Sequence, residues 1–522
     1  LRPARDPERM SGHLSNLWRL FAIARLLARH DALFPLEDLG VAPAVAKAAK
    51  LLSKRSVPGR PGQRLANALS EAGPSFIKLG QALSTRPDLL GEEITQDLAQ
   101  LQDDLPPFST GLARETIEQE FQVPVDTLFA SFDDDPVAAA SIAQVHFAET
   151  TEGDKVAVKI LRPGIEARFR RDLDLFRWAA RVMERARPDL KRLKPREVVE
   201  TIAQSVELEM DLRFEAAAAA EMADNFDGDD TFVIPAVDWA RTGSRVLTTE
   251  RIDGFPINDV EDITAAGIDP KTVVENAARA FFNQVFRDGF FHADLHPGNL
   301  FVMEDGAIGA VDFGIMGRVD KKTRRNLGEM LLGFLTRDYR RAAEVHFEAG
   351  WVPRDKSVDA FTQACRSIAE PILDKPQHEI SIGRLLGQLF QVTETFAMET
   401  QPQLLLLQKT MLTAEGVSRK LYPDTNMWVL ARPLIEDWMR ANLGPEAKIM
   451  DTFQGLAEAA ERLPRVMEDL EIGARRLAEG RLTLDPETVR LLRDGEDKPR
   501  TPVLLWIIVA ILAVIFTYNL MN

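Results

Sequence analysis

Apolar residues change their spacing along this chain, and each change predicts a different kind of element. From Leu17 to Leu36 they recur at helical intervals, interrupted by Arg19, Arg25, Arg29, His30 and Asp31, which predicts an amphipathic helix and not a cleaved leader. Such a helix packs on the body of the protein or lies on a membrane surface, and packing is the preferred expectation. Between Val125 and Ile160 the pattern shortens. Runs of β-branched and aromatic residues, Val125 to Ala148 and Val156 to Ile160, are broken by Asp133-Asp134-Asp135-Pro136 and Glu152-Gly153-Asp154 and predict three strands with tight connections. A long helix is expected over Glu197 to Asn225, strands over Thr231 to Pro235 and Arg245 to Arg251, and helical periodicity from Lys271 onward. Five strands with one long helix, followed by a mostly helical half, predict an α+β, two-lobed protein-kinase-like fold.

At the far end, Val503 to Leu520 carry no charge. At ~1.5 Å per residue this stretch reaches about 27 Å, enough for one bilayer crossing, with a buried terminal helix as the alternative. Arg490, Arg493, Lys498 and Arg500 precede it and no charged side chain follows, so the main body is expected on the cytoplasmic side. The segment between Thr452 and Arg493 has the pattern of amphipathic helices that lie on a membrane or pack on the domain. The expected organisation is an N-terminal helical extension over residues 1–120, a kinase-like N-lobe over 121–252 and a helical C-lobe over 253–440. An amphipathic linker over 441–501 and a transmembrane helix over 502–522 complete it.

Composition narrows the choice of chemistry. A chain of 522 residues supports two to four units, and 45% hydrophobic with 28% charged residues is ordinary for a globular protein. The net charge of −16 argues against a general nucleic-acid binder, because phosphate contacts need clustered cations. A single cysteine, Cys365, excludes an intrachain disulfide and a multi-cysteine zinc site, and it suits a reducing compartment.

Handling a γ-phosphoryl group requires positioned cations and metal ligands more than covalent chemistry. Val156-Ala157-Val158-Lys159 closes the third expected strand, as the strand-borne lysine of kinases does. His292-Ala293-Asp294 with Asn299 five residues on matches the kinase catalytic loop, and Asp312-Phe313-Gly314 follows the strand Ile308 to Val311. Lys159, Asp294 and Glu215 are thus candidate catalytic residues, with Asn299 and Asp312 as candidate ligands of Mg²⁺. His292 and His296 are expected to be structural hydrogen-bonders. Glu207, Asp211 and Glu215 recur every four residues, so one helix face would carry three like charges, destabilising by about 0.2–0.5 kcal/mol per pair unless a cation faces them. Lys159 is the expected counter-charge; a solvated acidic stripe is the other reading.

From Gly73 to Pro433 these motifs together resemble the UbiB/ABC1-like atypical kinases. Lys78-Leu79-Gly80-Gln81 matches the family's Lys-x-Gly-Gln hallmark, carried on a helical extension. Ala138-Ala139-Ala140-Ser141 stands where the family replaces a Gly-rich phosphate loop, and a changed nucleotide pose is expected because alanine has less backbone freedom than glycine. Glu209 and Asp211 fill a Glu-x-Asp motif, Glu215 fills the place of the glutamate paired with the strand lysine, and Glu250 is taken as a further nucleotide contact. The resemblance implies that the Lys78 helix folds over the cleft and meets the Glu-x-Asp motif, so that Lys78, Gly80, Gln81, Glu209 and Asp211 act as regulatory residues. Leu405 to Thr410, Glu415-Gly416 and Leu421 to Asp424 resemble the family's distal C-lobe. Ala293 in place of the loop arginine, and the lack of an Ala-Pro-Glu segment after Gly314, remove the usual parts for phospho-activation and peptide docking.

The function so implied is a membrane-anchored atypical kinase or ATPase of the bacterial inner membrane that uses ATP and Mg²⁺ in ubiquinone biosynthesis. Hydrolysis is favoured over protein phosphorylation. Expected partners are membrane lipid, polyprenylphenol intermediates and the pathway enzymes, with a homodimer admitted and nucleic acid excluded. A nucleotide-sensing scaffold is the alternative, and direct hydroxylation of a polyprenylphenol is disfavoured for want of a flavin fingerprint or an iron-binding cluster.

Overall fold

The computed structural model describes residues 19–34, 57–84, 90–98, 101, 105–186, 195–372, 388, 391–393, 395–398, 402–424 and 427–443. Helix α1, residues 19–29, buries Leu20, Ala24, Leu27 and Ala28 on one face, so the amphipathic pattern at the N-terminus is spent on packing. It shares a core with α2 (Pro61–Ala72), α3 (Pro74–Ser84) and α4 (Glu92–Leu98). That core also includes α7 (Ile165–Ala186) and α8 (Pro195–Glu209). Phe76 of α3 meets Phe176 of α7 edge-on, with ring centroids 5.0 Å apart, and the buried carboxylate of Asp172 accepts from Ser75 and Arg19. The 22-residue α7 is an element that the sequence reading passed over.

Helix α5 (Thr110–Phe121) and the short α6 (Val125–Leu128) lead into the first sheet. Strand character was expected from Val125; instead, Pro124 precedes a single helical turn, and the strand β1 begins at Phe129. Antiparallel β1 (Phe129–Phe132), β3 (Ala143–Thr150), β4 (Lys155–Leu161) and β6 (Val246–Glu250) follow one another across the sheet, and β2 (Ala138–Ala139) pairs with β3. In β4 every second residue, Val156, Val158 and Ile160, is buried, which turns Lys159 to the opposite face.

Two expectations fail here for identifiable reasons. The strand at Thr231 to Pro235 reduces to β5 (Phe232–Val233), which pairs in parallel with β10 (Ile308–Ala310) of the second sheet, not with the first. The long helix over Glu197 to Asn225 is two helices, α8 and α9 (Leu212–Asn225). Asp211 adopts an extended backbone and caps α9 by accepting from the Arg213 N–H, while the Leu212 N–H donates to the Ser244 carbonyl at 2.9 Å. Glu207, Asp211 and Glu215 therefore do not share the face of one helix.

The helical half contains α10 (Val260–Ala265), α11 (Pro270–Phe282), α12 (Lys321–Leu335), α13 (Tyr339–Glu348), α14 (Val358–Ala369), α15 (Pro402–Leu421) and α16 (Met427–Leu443). Its core joins Phe281, Phe286, Phe290, Phe291 and Phe313 to Leu407 and Val417 of α15. Helix α11 runs into a six-residue π-turn, Asn283–Asp288, which turns the buried Gln284 inward. Strands β7 (Phe255–Pro256), β9 (Leu300–Val302) and β10 complete the second sheet, and β8 (Phe290–His292) pairs with β11 (Met316–Arg318). Among the described residues no helix is long and apolar enough to cross a membrane; of the linker expected over 441–501 the first three residues end α16, and the rest, with the expected span at Val503 to Leu520, lies outside them.

Candidate active site

Strand β4 and helix α9 meet through one ammonium group. Lys159 Nζ donates to Glu215 Oε1 at 2.7 Å and Oε2 at 3.0 Å, and lies 3.1 Å from Asp312 Oδ2. Burial works against the charged lysine, but the carboxylates of Asp312 and Glu215 outweigh it and hold its pKa above the ordinary value. Asp312 is brought down to about 2: burial opposes ionisation, and the Lys159 charge overcomes it. Glu215 goes the other way, raised to about 7, because burial costs it more than Lys159 returns and Asp312 adds a like charge.

This last shift has a measurable sign. The folded protein keeps a proton on Glu215 up to about pH 7, whereas a free glutamate releases it near 4.5. The stability this group contributes is therefore full below about pH 4.5 and is lost as pH rises to about 7. Glu215→Gln is expected to flatten that part of the stability profile; thermal midpoints that fall equally between pH 5 and pH 8 in parent and variant would contradict the assignment.

The loop opposite is fixed by its histidines. The His292 N–H donates to Gln284 Oε1 at 2.9 Å; His292 Nδ1 accepts from the Asp294 N–H at 3.2 Å, and its Nε2–H donates to the Val311 carbonyl at 3.3 Å. This pattern requires the neutral Nε2–H tautomer, and burial lowers the His292 pKa in agreement. Asn299 Nδ2 donates to the Asp294 carbonyl at 3.1 Å, and the Val311 N–H donates to the Asn299 carbonyl at 2.9 Å. Asn299 is thus tied to the Asp294 backbone through its side-chain amide and, through its own carbonyl, to Val311, the residue before Asp312. Asp312 stands at φ 63°, in the left-handed region, with Oδ1 accepting from the Gly314 N–H at 3.3 Å.

Lys78 Nζ of α3 lies 2.9 Å from Glu209 Oε2 at the end of α8, which joins the extension to the cleft. Gly80 is packed so closely that a Cβ would lie 2.8 Å from Leu69 Cδ1 and closer still to Leu101. Gln81 Nε2 reaches the Leu101 carbonyl at 3.5 Å. The Asp211 carboxylate is engaged elsewhere, with Arg213 as the cap of α9, and not with Lys78. Glu250 ends β6 with an exposed side chain, and its Oε2 accepts from the Ala236 N–H at 3.5 Å. Ala138 and Ala139 form β2, the Ala140 N–H donates to the Ala143 carbonyl at 2.8 Å, and Ser141 is fully buried with no hydrogen-bond partner for its Oγ among the described residues.

Two residues that the sequence reading missed belong here. The Arg162 guanidinium clamps the alanine-rich loop by donating twice to the Ala140 carbonyl, at 3.0 and 2.8 Å. Lys409 Nζ of α15 donates to Asp294 Oδ1 at 3.0 Å. Arg162 directly follows the strand that carries the lysine motif, which gave a hint; Lys409 lies in the Leu405 to Thr410 stretch that resembles the family's distal C-lobe, but nothing local pairs it with Asp294.

Two lobes with a strand lysine, a helix glutamate and an Asp-Asn-Asp set at their junction define the class of kinase-like folds. A model of the ABC1 atypical kinase-like domain matches residues 100–346, and a UbiB helical domain model matches residues 365–426. The chain is 44% identical over 463 residues to the probable protein kinase UbiB of Marinobacter nauticus, covering 87% of this chain and 84% of that one. To the protein of the same name from Azotobacter vinelandii it is 44% identical over 407 residues, covering 77% and 76%. A Mycobacterium tuberculosis protein solved in complex with erythromycin superposes with a TM-score of 0.51 at 25% identity, over 76% of this chain and 98% of that one. The chain belongs to the UbiB family of ABC1-type atypical kinases.

Proposed function

We propose that the cleft binds Mg–ATP and that its turnover supports ubiquinone biosynthesis, through handling of polyprenylphenol intermediates or assembly of the pathway enzymes at the membrane. The observation that carries this reading is Lys159 held between Glu215 and Asp312, beside a loop that presents Asp294 and Asn299. Asp312 and Asn299 would hold Mg²⁺: one carboxylate and one amide oxygen suit an ion that keeps several waters and takes its remaining ligands from phosphates. The ion supplies neutralisation of the phosphate charge. Lys159 would pair with the α- and β-phosphates, Asp294 would orient and deprotonate the attacking hydroxyl or water, and the buried hydroxyl of Ser141 in the alanine-rich loop is a donor without a partner among the described residues.

Lipid handling draws support from Leu208 and Phe214, both exposed and flanking the Glu209–Asp211 corner. Membrane anchoring rests on the uncharged stretch from Val503 to Leu520. In a strain lacking this chain, the parent is expected to restore quinone content and an Asp294→Asn variant to leave precursor accumulated. Normal quinone content with the variant, once its phosphate release is shown to be lost, would favour a nucleotide-sensing scaffold instead.

A further inference from the structure

We propose that Lys409 is a second phosphate-binding lysine that holds the terminal phosphate of a bound nucleoside triphosphate beside Asp294; the inference rests on the cleft taking Mg–ATP. Lys409 comes from α15, far along the chain from the loop it touches. That helix is anchored on its inner side, where Leu407 and Thr410 are buried and the Thr410 hydroxyl donates to the Leu406 carbonyl at 2.9 Å. Between those two, Lys409 projects to the catalytic-type loop.

Burial separates a ligand-binding role from a structural one. The Lys409 side chain is 52% exposed and that of Asp294 27%, so this ion pair is wet, and pairs in such surroundings contribute little to stability. Lys159, by contrast, is 14% exposed and committed to two carboxylates. An ammonium has three donors, and Asp294 Oδ1 takes one of those on Lys409, which leaves donors for an incoming anion.

The loop itself brings no lasting cation to this place. Ala293 precedes Asp294, and the ring of His296, two residues on, accepts from the Gly298 N–H at 3.0 Å through Nδ1, with Nε2 3.9 Å from Asp294 Oδ2. A terminal phosphate next to the Asp294 carboxylate would meet a like charge, and a cation bridging the two removes the repulsion. Lys159 would be engaged with the α- and β-phosphates and the metal would be shared between β and γ, so Lys409 is the protein cation placed to meet a group that a triphosphate has and a diphosphate lacks.

The test uses the full-length chain in lipid vesicles, with Mg–AMP-PNP and Mg–ADP titrated calorimetrically into parent, Lys409→Met and Lys409→Arg. Lys409→Met is expected to weaken AMP-PNP about tenfold or more while ADP stays within about twofold, with Lys409→Arg closer to the parent. A parallel loss of both nucleotides would mean a packing role, and unchanged affinities for both would mean none; either result overturns the proposal while leaving ATP binding intact. Failure of the parent to bind either nucleotide would overturn the ATP reading itself, and this inference with it.

Discussion

Asp312→Asn is expected to lower phosphate release by about 10³-fold in a protein that remains folded. The substitution keeps the shape of the side chain and removes its charge. Asn is also tolerated at φ 63°, where a β-branched residue would strain the backbone. Loss of the charge acts twice. The proposed metal site is left with two neutral oxygens, which bind a hard cation weakly. Lys159, now paired with Glu215 alone, is drawn toward that partner and away from a phosphate. Glu215 in turn loses the like charge that helped to raise its pKa, so its titration is expected to move to lower pH. Phosphate release from vesicle-bound protein, with a thermal melt as the folding control, measures the effect; turnover within tenfold of the parent would remove Asp312 from the chemistry.

Gly317→Ala is expected to destabilise the helical half by about 1–3 kcal/mol through overpacking. Gly317 of β11 lies opposite Phe291 of β8, and a Cβ there would fall 2.7 Å from Phe291 Cε2 and nearer still to Cζ and Cε1. Phe291 is fully buried, so its ring cannot swing out into solvent. The next residue is His292, whose two ring bonds orient the Asp294 loop, so the displacement should reach the site as well. Thermal unfolding is expected a few degrees below the parent, with turnover reduced beyond what unfolding explains. A midpoint matching the parent would show that this strand pair yields more easily than its packing implies.

The parts of the site that the sequence disclosed are those in which a residue type and its local element suffice. Lys159 follows Val-Ala-Val on a strand, and Asp294, Asn299 and Asp312 are separated by short segments whose strands leave little freedom. The break between α8 and α9 was hidden because apolar periodicity carries through it, and the cause is a tertiary bond from Leu212 to Ser244. The placement of β5 depended on a parallel partner distant in the chain, β10, which no local pattern encodes. Lys409 and Arg162 share that difficulty: each acts on a backbone or carboxylate far away in sequence, and only the fold brings them there. The face of α1 was legible as amphipathic, and the core that it shares with α2, α3 and α7 decided between packing and a membrane surface.

The π-turn at Asn283–Asp288 sets a limit of another kind. Its wider winding is what brings the Gln284 amide under the His292 N–H. Deleting one residue there would restore ordinary helical pitch and rotate the chain beyond it by roughly 100°. Insertions and deletions that surface loops absorb would here re-aim the whole Asp294 loop, so the length of this segment is under as strong a constraint as the identity of any residue in the cleft.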